Sequence, residues 1–158
     1  MELLINELQK NGVIILDFGS QYTQLIARRV RELNVYSEIL PSNTHLSQIV
    51  EREPSSIILS GGPSSVFGDE APSFDKKIFD MDVPILGICY GLQLLAHHHG
   101  GLGESNGLGE AGFAELEIDN DEKLFKNVPK FSQVWMSHMD RVTKLPDEWH
   151  TLAHSSNG

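Results

Sequence analysis

The chain has 158 residues, 40% hydrophobic and 22% charged, which is enough for one domain with its own core. Its formal net charge of −10 disfavours a phosphate-backbone partner, so no nucleic acid is expected, and no apolar run approaches the ~18 residues of a membrane span. Met1 to Lys10 lacks the basic start and apolar core of a signal peptide, and a single cysteine makes neither an internal disulfide nor a thiolate metal cluster. The expectation is a cytoplasmic protein that holds no metal.

Residues 1–12 read as an N-terminal extension, with a turn of helix over Leu3 to Leu8, and the domain proper as residues 13–158. Val13-Ile14-Ile15-Leu16 is a continuous apolar run, the pattern of a parallel strand buried on both faces, and Asp17-Phe18-Gly19-Ser20 follows as a loop. From Gln21 to Leu33 the positions Tyr22, Leu25, Ile26, Val30 and Leu33 recur at helical spacing, with Ser20 as the expected N-cap and Arg28, Arg29, Arg31 and Glu32 on the outer face. Those arginines suit either an anion site or, more simply, a solvated helix face. Val35 to Leu40 reads as a second strand ended by Pro41, and Thr44 as the cap of a helix through Leu46, Ile49 and Val50. Ser56-Ile57-Ile58-Leu59 is a third strand, running into Ser60-Gly61-Gly62-Pro63. The alternation predicts a three-layer α/β fold, flavodoxin-like, with a mostly parallel central sheet and helices on both faces; ligands of such sheets bind beyond the carboxyl ends of the strands.

Phe74 to Phe79 reads as a short helix, Pro84 to Ile88 as the next strand, and a helix follows from about Leu92. Between them lies Gly87-Ile88-Cys89-Tyr90-Gly91, which puts the only cysteine at a sharp strand-to-helix turn. The first turn of a helix offers unpaired N–H donors and a positive dipole end, both of which favour a thiolate. Gly87 and Gly91 tolerate the torsions and close approach of such a turn. A lone cysteine is otherwise a small core hydrophobe; the glycine frame is what makes Cys89 a candidate nucleophile. Gly61-Gly62 at a neighbouring strand end either forms an ordinary glycine turn or aims two N–H groups at one point, and with Cys89 nearby the combination favours acyl transfer, with Gly62 and Tyr90 as oxyanion donors.

His97-His98-His99 ends the helix. Adjacent helical residues point about 100° apart, so the three do not share one ion, and a solvated helix end is expected. Gly100 to Gly112 reads as a flexible connection or hairpin without the Lys-Ser/Thr of a phosphate loop. Phe113 to Ile118 alternates, with Glu115 and Glu117 outward, as in an antiparallel strand with one wet face; Val134 to His138 and Thr151 to His154 are further strands.

Taken together, Ile14-Ile15-Leu16-Asp17-Phe18-Gly19-Ser20-Gln21-Tyr22, Ala27-Arg28-Arg29-Val30-Arg31-Glu32-Leu33, Ile58-Leu59-Ser60-Gly61-Gly62-Pro63, Leu86-Gly87-Ile88-Cys89-Tyr90-Gly91-Leu92-Gln93 and Val134-Trp135-Met136-Ser137-His138 resemble the class I glutamine amidotransferase domains of GMP synthases. The resemblance implies that Cys89 attacks the side-chain amide of glutamine, forms a glutamyl thioester and releases ammonia. A separate ATP-pyrophosphatase unit, fused or independent and itself using ATP and magnesium, would pass that ammonia to xanthosine monophosphate; no cofactor is implied for this domain. It further implies that Gly61 and Gly62 help form the oxyanion hole with Tyr90, and that Gln93 and the Ser137-His138 backbone hold the glutamine, with Asp140 in the same loop.

Three departures from the family stand out. The sequence contains no Phe-His-Pro-Glu motif, which supplies the family's general base and its orienting glutamate, so impaired glutamine turnover is expected of a domain lacking that C-terminal end. Met139 stands where the family has glycine, which would strain the loop if that position needs a positive φ. Gly107-Leu108-Gly109-Glu110-Ala111 lacks the arginine of the family's Arg-Glu pair. Two alternatives accompany the main reading: another cysteine-elbow hydrolase of related fold, of the peptidase- and deglycase-like kind, and a catalytically incomplete module that binds glutamine or a partner.

Overall fold

The computed structural model describes residues 10–66, 71–104, 110–120 and 123–155. The chain divides after Leu95 into two compact units. In the first, β1 (Val13–Asp17), β2 (Ser37–Pro41), β3 (Ser56–Leu59) and β4 (Ile85–Gly87) form a parallel sheet in the order β2-β1-β3-β4. Ile15 lies opposite Ile39 on one side and Ile58 on the other.

Val13 to Leu16 of β1 and Ile57 to Leu59 of β3 are apolar throughout because both faces of the sheet are covered there. Helix α1 (Thr23–Glu32) lays Ile26, Ala27 and Val30 over Val13, Ile15, Ile39 and Ile58. The alternate residues Ile14, Leu16, Ile57 and Leu59 point to the other face and are buried there too. Each fully buried isoleucine or leucine contributes roughly 1.5–3 kcal/mol of transfer free energy. Helix α2 (Leu46–Val50) buries Ile49, and a 3-10 turn over Lys76–Asp80 buries Ile78. Helix α3 (Tyr90–His98) follows β4.

Several boundaries differ from the sequence reading, each for a local reason. Helix α1 starts at Thr23 with Tyr22 as its N-cap residue, which makes no side-chain cap bond. The Ser20 hydroxyl instead accepts the Tyr22 N–H at 3.1 Å, and Asp17 Oδ1 accepts from Gly19 N at 2.9 Å and Thr23 Oγ1 at 2.7 Å, so the β1–α1 loop is tied before the helix begins. Thr44 donates to the Pro41 carbonyl at 2.7 Å, leaving the cap of α2 to His45, whose Nδ1 accepts from Ser47 N at 3.2 Å. The expected helix over Phe74 to Phe79 is the 3-10 turn, entered through Asp75, whose Oδ1 accepts the Lys77 N–H at 3.1 Å.

In the second unit, β6 (Glu110–Ile118) is the middle strand of an antiparallel sheet, flanked by β7 (Phe131–His138) and β9 (Ala153–Ser155). The glycine-rich stretch contains a strand that glycine content had hidden, β5 (Leu102–Glu104), paired antiparallel with β8 (Arg141–Lys144); residues 105–109 lie outside the described ones. Arg141 Nε and Nη2 both donate to Glu104 Oε1 across that pair, the Nε bond at 2.9 Å. Phe113 and Glu115 share the wet face of β6, while Glu117, at half exposure, pairs with Lys130 at 3.2 Å.

On β9 the exposed His154 Nδ1 lies 2.9 Å from Asp119 Oδ2, and its Nε2 lies 4.0 Å from Glu117 Oε2. The Asp119 hydrogen bond, helped by both carboxylate charges, raises the imidazole above its ordinary value of 6.5. Folding therefore favours the protonated ring. Its contribution is complete below the unfolded value and fades as pH rises through the higher folded one. An NMR titration of the His154 ring should show the raised midpoint, and Asp119→Asn should return it toward the ordinary value.

Candidate functional site

Cys89 occupies the turn between β4 and α3 with φ at 50°, a left-handed torsion that costs a non-glycine residue about 1–2 kcal/mol. The turn is pinned to the end of β3. Ile88 N donates to Leu59 O at 3.0 Å, Gly91 N to Ser60 O at 3.1 Å, and Gln93 N to Cys89 O at 3.1 Å.

The flanking glycines serve close approach rather than torsion, since the positive-φ glycines among the described residues are Gly19, Gly100 and Gly112. A β-carbon on Gly91 would lie 2.4 Å from Leu59 O, and one on Gly87 2.5 Å from Leu92 N. Helix α3 starts at Tyr90, two residues before the sequence reading placed it, because both glycines let its first turn sit directly on the β3–β4 ends.

From β3 the chain brings Gly61 against the cysteine: a β-carbon there would meet Cys89 Cβ and Ser20 Oγ, each at 3.5 Å. Gly62 faces the other way, and its β-carbon would lie 2.5 Å from Phe18 O. Ser60, fully buried, accepts the Phe18 N–H on its hydroxyl at 3.0 Å and donates to Gly61 O at 2.8 Å. Sequence reasoning gave Ser60 no role; a hydroxyl closing a buried strand just before Gly-Gly was the available signal.

Tyr90 is buried with its ring 5.1 Å from that of Phe18, which in turn contacts Phe74 at 5.7 Å. Burial raises the phenol above its ordinary value of 10.0, so the hydroxyl stays neutral. Gln93 is buried one turn after Cys89 on α3.

The structure thus gathers Cys89, Gly61, Gly62, Tyr90 and Gln93 at the carboxyl ends of the sheet strands in the first unit. Ser137 and His138 belong to the second unit, at the end of β7. There His138 Nε2 lies 3.1 Å from Glu110 Oε2 and its Nδ1 lies 3.0 Å from Asp140 O, and Ser155 Oγ donates to Glu110 at 2.9 Å. Glu110 therefore ties β7 to β9 without the family's arginine. Met139 is not among the residues with positive φ, so its side chain brings no torsional strain. The His98 and His99 rings meet edge to face at 5.1 Å and His99 lies 5.6 Å from Trp149; among the described residues no three His, Cys, Asp or Glu side chains converge on a metal position. No helix among them is long and apolar enough to cross a membrane.

A parallel sheet whose strand ends frame a cysteine elbow defines a class of enzyme domains, and the class I glutamine amidotransferase family model matches residues 14–158: the chain belongs to that family. Particular relatives narrow it. The chain is 54% identical over 150 residues to the GMP synthase [glutamine-hydrolyzing] of Campylobacter lari and 50% identical over 151 residues to that of Fusobacterium nucleatum. These alignments cover 95% of the chain but 29% and 30% of those proteins, so the chain spans under a third of their length. Among solved structures, a Thermoplasma acidophilum protein assigned as a GMP synthase subunit superposes with a TM-score of 0.82 at 29% identity, covering 94% of this chain and 74% of that one. A Thermotoga maritima glutamine amidotransferase gives 0.70 at 22% identity over 93% of this chain and 68% of its own, a likeness of fold. The match sets aside the peptidase- and deglycase-like hydrolases.

Proposed function

We propose that this chain is the glutamine-hydrolysing part of a GMP synthase, with residues 13–158 forming the amidotransferase domain. The observation that carries the proposal is Cys89 held at a φ of 50° at the β4–α3 turn, facing Gly61, where an added β-carbon would lie 3.5 Å from Cys89 Cβ.

In this reading the Cys89 thiolate attacks the side-chain carbonyl carbon of glutamine. The Sγ–C bond forms, the oxyanion of the tetrahedral intermediate accepts from the Gly62 and Tyr90 N–H groups, and the C–N bond breaks as the nitrogen takes a proton and leaves as ammonia. Water then cleaves the glutamyl thioester, giving glutamate and the free thiol. Gly61 and Gln93 hold the glutamine. Both the acid that protonates the leaving nitrogen and the base for the second step would come from the histidine of the family's Phe-His-Pro-Glu motif.

The ammonia would go to an ATP-pyrophosphatase unit, fused or separate, that activates xanthosine monophosphate with ATP and magnesium in the cytoplasm. The relatives' additional length supports such a partner.

The test is the intact mass of the chain after incubation with an electrophilic glutamine analogue. One adduct per chain on Cys89, suppressed by excess glutamine and not by asparagine, is expected. Labelling of Cys89 by a small neutral alkylator but not by the analogue would exclude a formed glutamine pocket.

A further inference from the structure

Ser60 follows β3 directly, is fully buried and engages each polar group it carries. Its N–H donates to Leu16 O at 3.1 Å, and its carbonyl accepts from Gly91 N at 3.1 Å. Its hydroxyl accepts from Phe18 N at 3.0 Å and donates to Gly61 O at 2.8 Å. One residue thus joins β1, the loop after it, the Gly61-Gly62 turn and the first turn of α3. The two hydroxyl roles follow from the partners. An amide N–H only donates and a carbonyl only accepts, so the single hydroxyl proton belongs to the bond with Gly61 O.

That bond fixes the plane of one peptide. Gly61 O belongs to the unit whose N–H is that of Gly62, and in a trans peptide the C=O and N–H point in opposite directions. The torsions able to turn this unit, ψ of Gly61 and φ of Gly62, are both glycine torsions, so the backbone alone sets little preference between the two flipped orientations. A side chain that would restrict Gly62 is excluded, since its β-carbon would lie 2.5 Å from Phe18 O. The buried hydroxyl on Gly61 O supplies the preference and turns the Gly62 N–H to the side away from Ser60. Gly61, at the other end of the same unit, faces Cys89, where an added β-carbon would lie 3.5 Å from Cys89 Cβ.

Resting on the amidotransferase reading above, we propose that Ser60 is a positioning residue of the oxyanion hole. Its hydroxyl holds the Gly61–Gly62 peptide in the orientation in which the Gly62 N–H meets the oxygen that becomes charged when Cys89 attacks. Ser60 acts through Gly62 and does not itself meet the substrate. A donor aids acyl transfer most when it is aimed in advance, because turning a peptide during the reaction spends part of the stabilisation. The bonds of Ser60 to Leu16, Phe18 and Gly91 keep the hydroxyl in place.

The probe is the γ-p-nitrophenyl ester of glutamate. Cys89 Sγ attacks the ester carbonyl, the oxyanion forms, and the C–O bond breaks as nitrophenolate leaves without taking a proton, so the burst reads the attack alone. The parent chain should release about one nitrophenolate per chain in a burst suppressed by excess glutamine, with release by Cys89→Ala subtracted as background. Ser60→Ala should slow the burst about tenfold or more at saturating ester, with the half-saturating concentration little changed. Alkylation of Cys89 by iodoacetamide, at a saturated carbon where no oxyanion forms, should keep its parental rate. Ser60→Thr, which restores the hydroxyl, should recover most of the burst rate. If Ser60→Ala does not fold, Ser60→Cys, of similar volume and a weaker donor, replaces it with the same expectation. A burst as fast in Ser60→Ala as in the parent, an equal loss of burst and alkylation rates, or Ser60→Thr as slow as Ser60→Ala overturns the proposal and leaves the amidotransferase reading standing. A parent chain that iodoacetamide labels but that gives no burst overturns both.

Discussion

Cys89→Ala should reduce the adduct with an electrophilic glutamine analogue from one per chain to none, with the fold unchanged. No other residue in the sequence carries a thiol, so adduct formation by the variant would remove Cys89 from the role of nucleophile. The stability of the variants tests a second aspect of the same residue. Alanine retains a β-carbon at a φ of 50° and so retains the torsional cost, whereas Cys89→Gly relieves it. Cys89→Gly is therefore expected to be more stable than Cys89→Ala by about 1 kcal/mol in urea unfolding. Equal stability of the two would mean that the turn relaxes when the thiol is lost. Strain stored at a candidate nucleophile is the kind of stability cost that functional sites commonly show.

The second large effect is expected at Gly91. An alanine there would place its β-carbon 2.4 Å from Leu59 O and 2.6 Å from Leu59 Cβ, both on a fully buried strand residue. Neither is the far end of a flexible side chain, so α3 must move off β3 or β3 must shift. Overpacking of this kind costs typically 1–3 kcal/mol, and with backbone on one side Gly91→Ala belongs at the upper end, about 3 kcal/mol. The shift would also break the Gly91 N to Ser60 O bond and displace Cys89, so the capture rate should fall with stability. Gly61→Ala is the contrasting case. Its β-carbon would meet Cys89 Cβ and Ser20 Oγ at an ordinary 3.5 Å, so the fold should hold while the space in front of the thiol narrows. Denaturation midpoints and labelling rates measured on both variants separate the two outcomes. If Gly91→Ala unfolds like the parent, the close packing of α3 on β3 does not control the elbow.

What the sequence determined by itself was the parallel half of the fold and the identity of the elbow. Val13-Ile14-Ile15-Leu16 and Ser56-Ile57-Ile58-Leu59 have no polar face to offer, so each had to lie between two layers. One cysteine framed by Gly87 and Gly91 after a short apolar strand admits few geometries. Local chemistry of this kind is readable because neighbours in sequence decide it.

Tertiary structure decided the rest. Of the two roles read for Gly87 and Gly91, torsion and close approach, the structure leaves them the second: Cys89 carries the torsion, while Gly91 stands where α3 meets β3 and Gly87 where β4 meets α3. Ser60 joins Phe18 to Gly61 across 42 residues of sequence, a contact no local pattern signals. Glu110, in a stretch that seemed to have lost its ionic anchor, is held by His138 and Ser155, 28 and 45 residues away. Phe113 lies outward with Glu115, as the alternation over Phe113 to Ile118 implied, and Trp135, whose face no local pattern assigned, joins it because the register of β6 and β7 sets it directly opposite Phe113. A period of two fixes which residues share a face; only the packing of the sheet decides which face meets water.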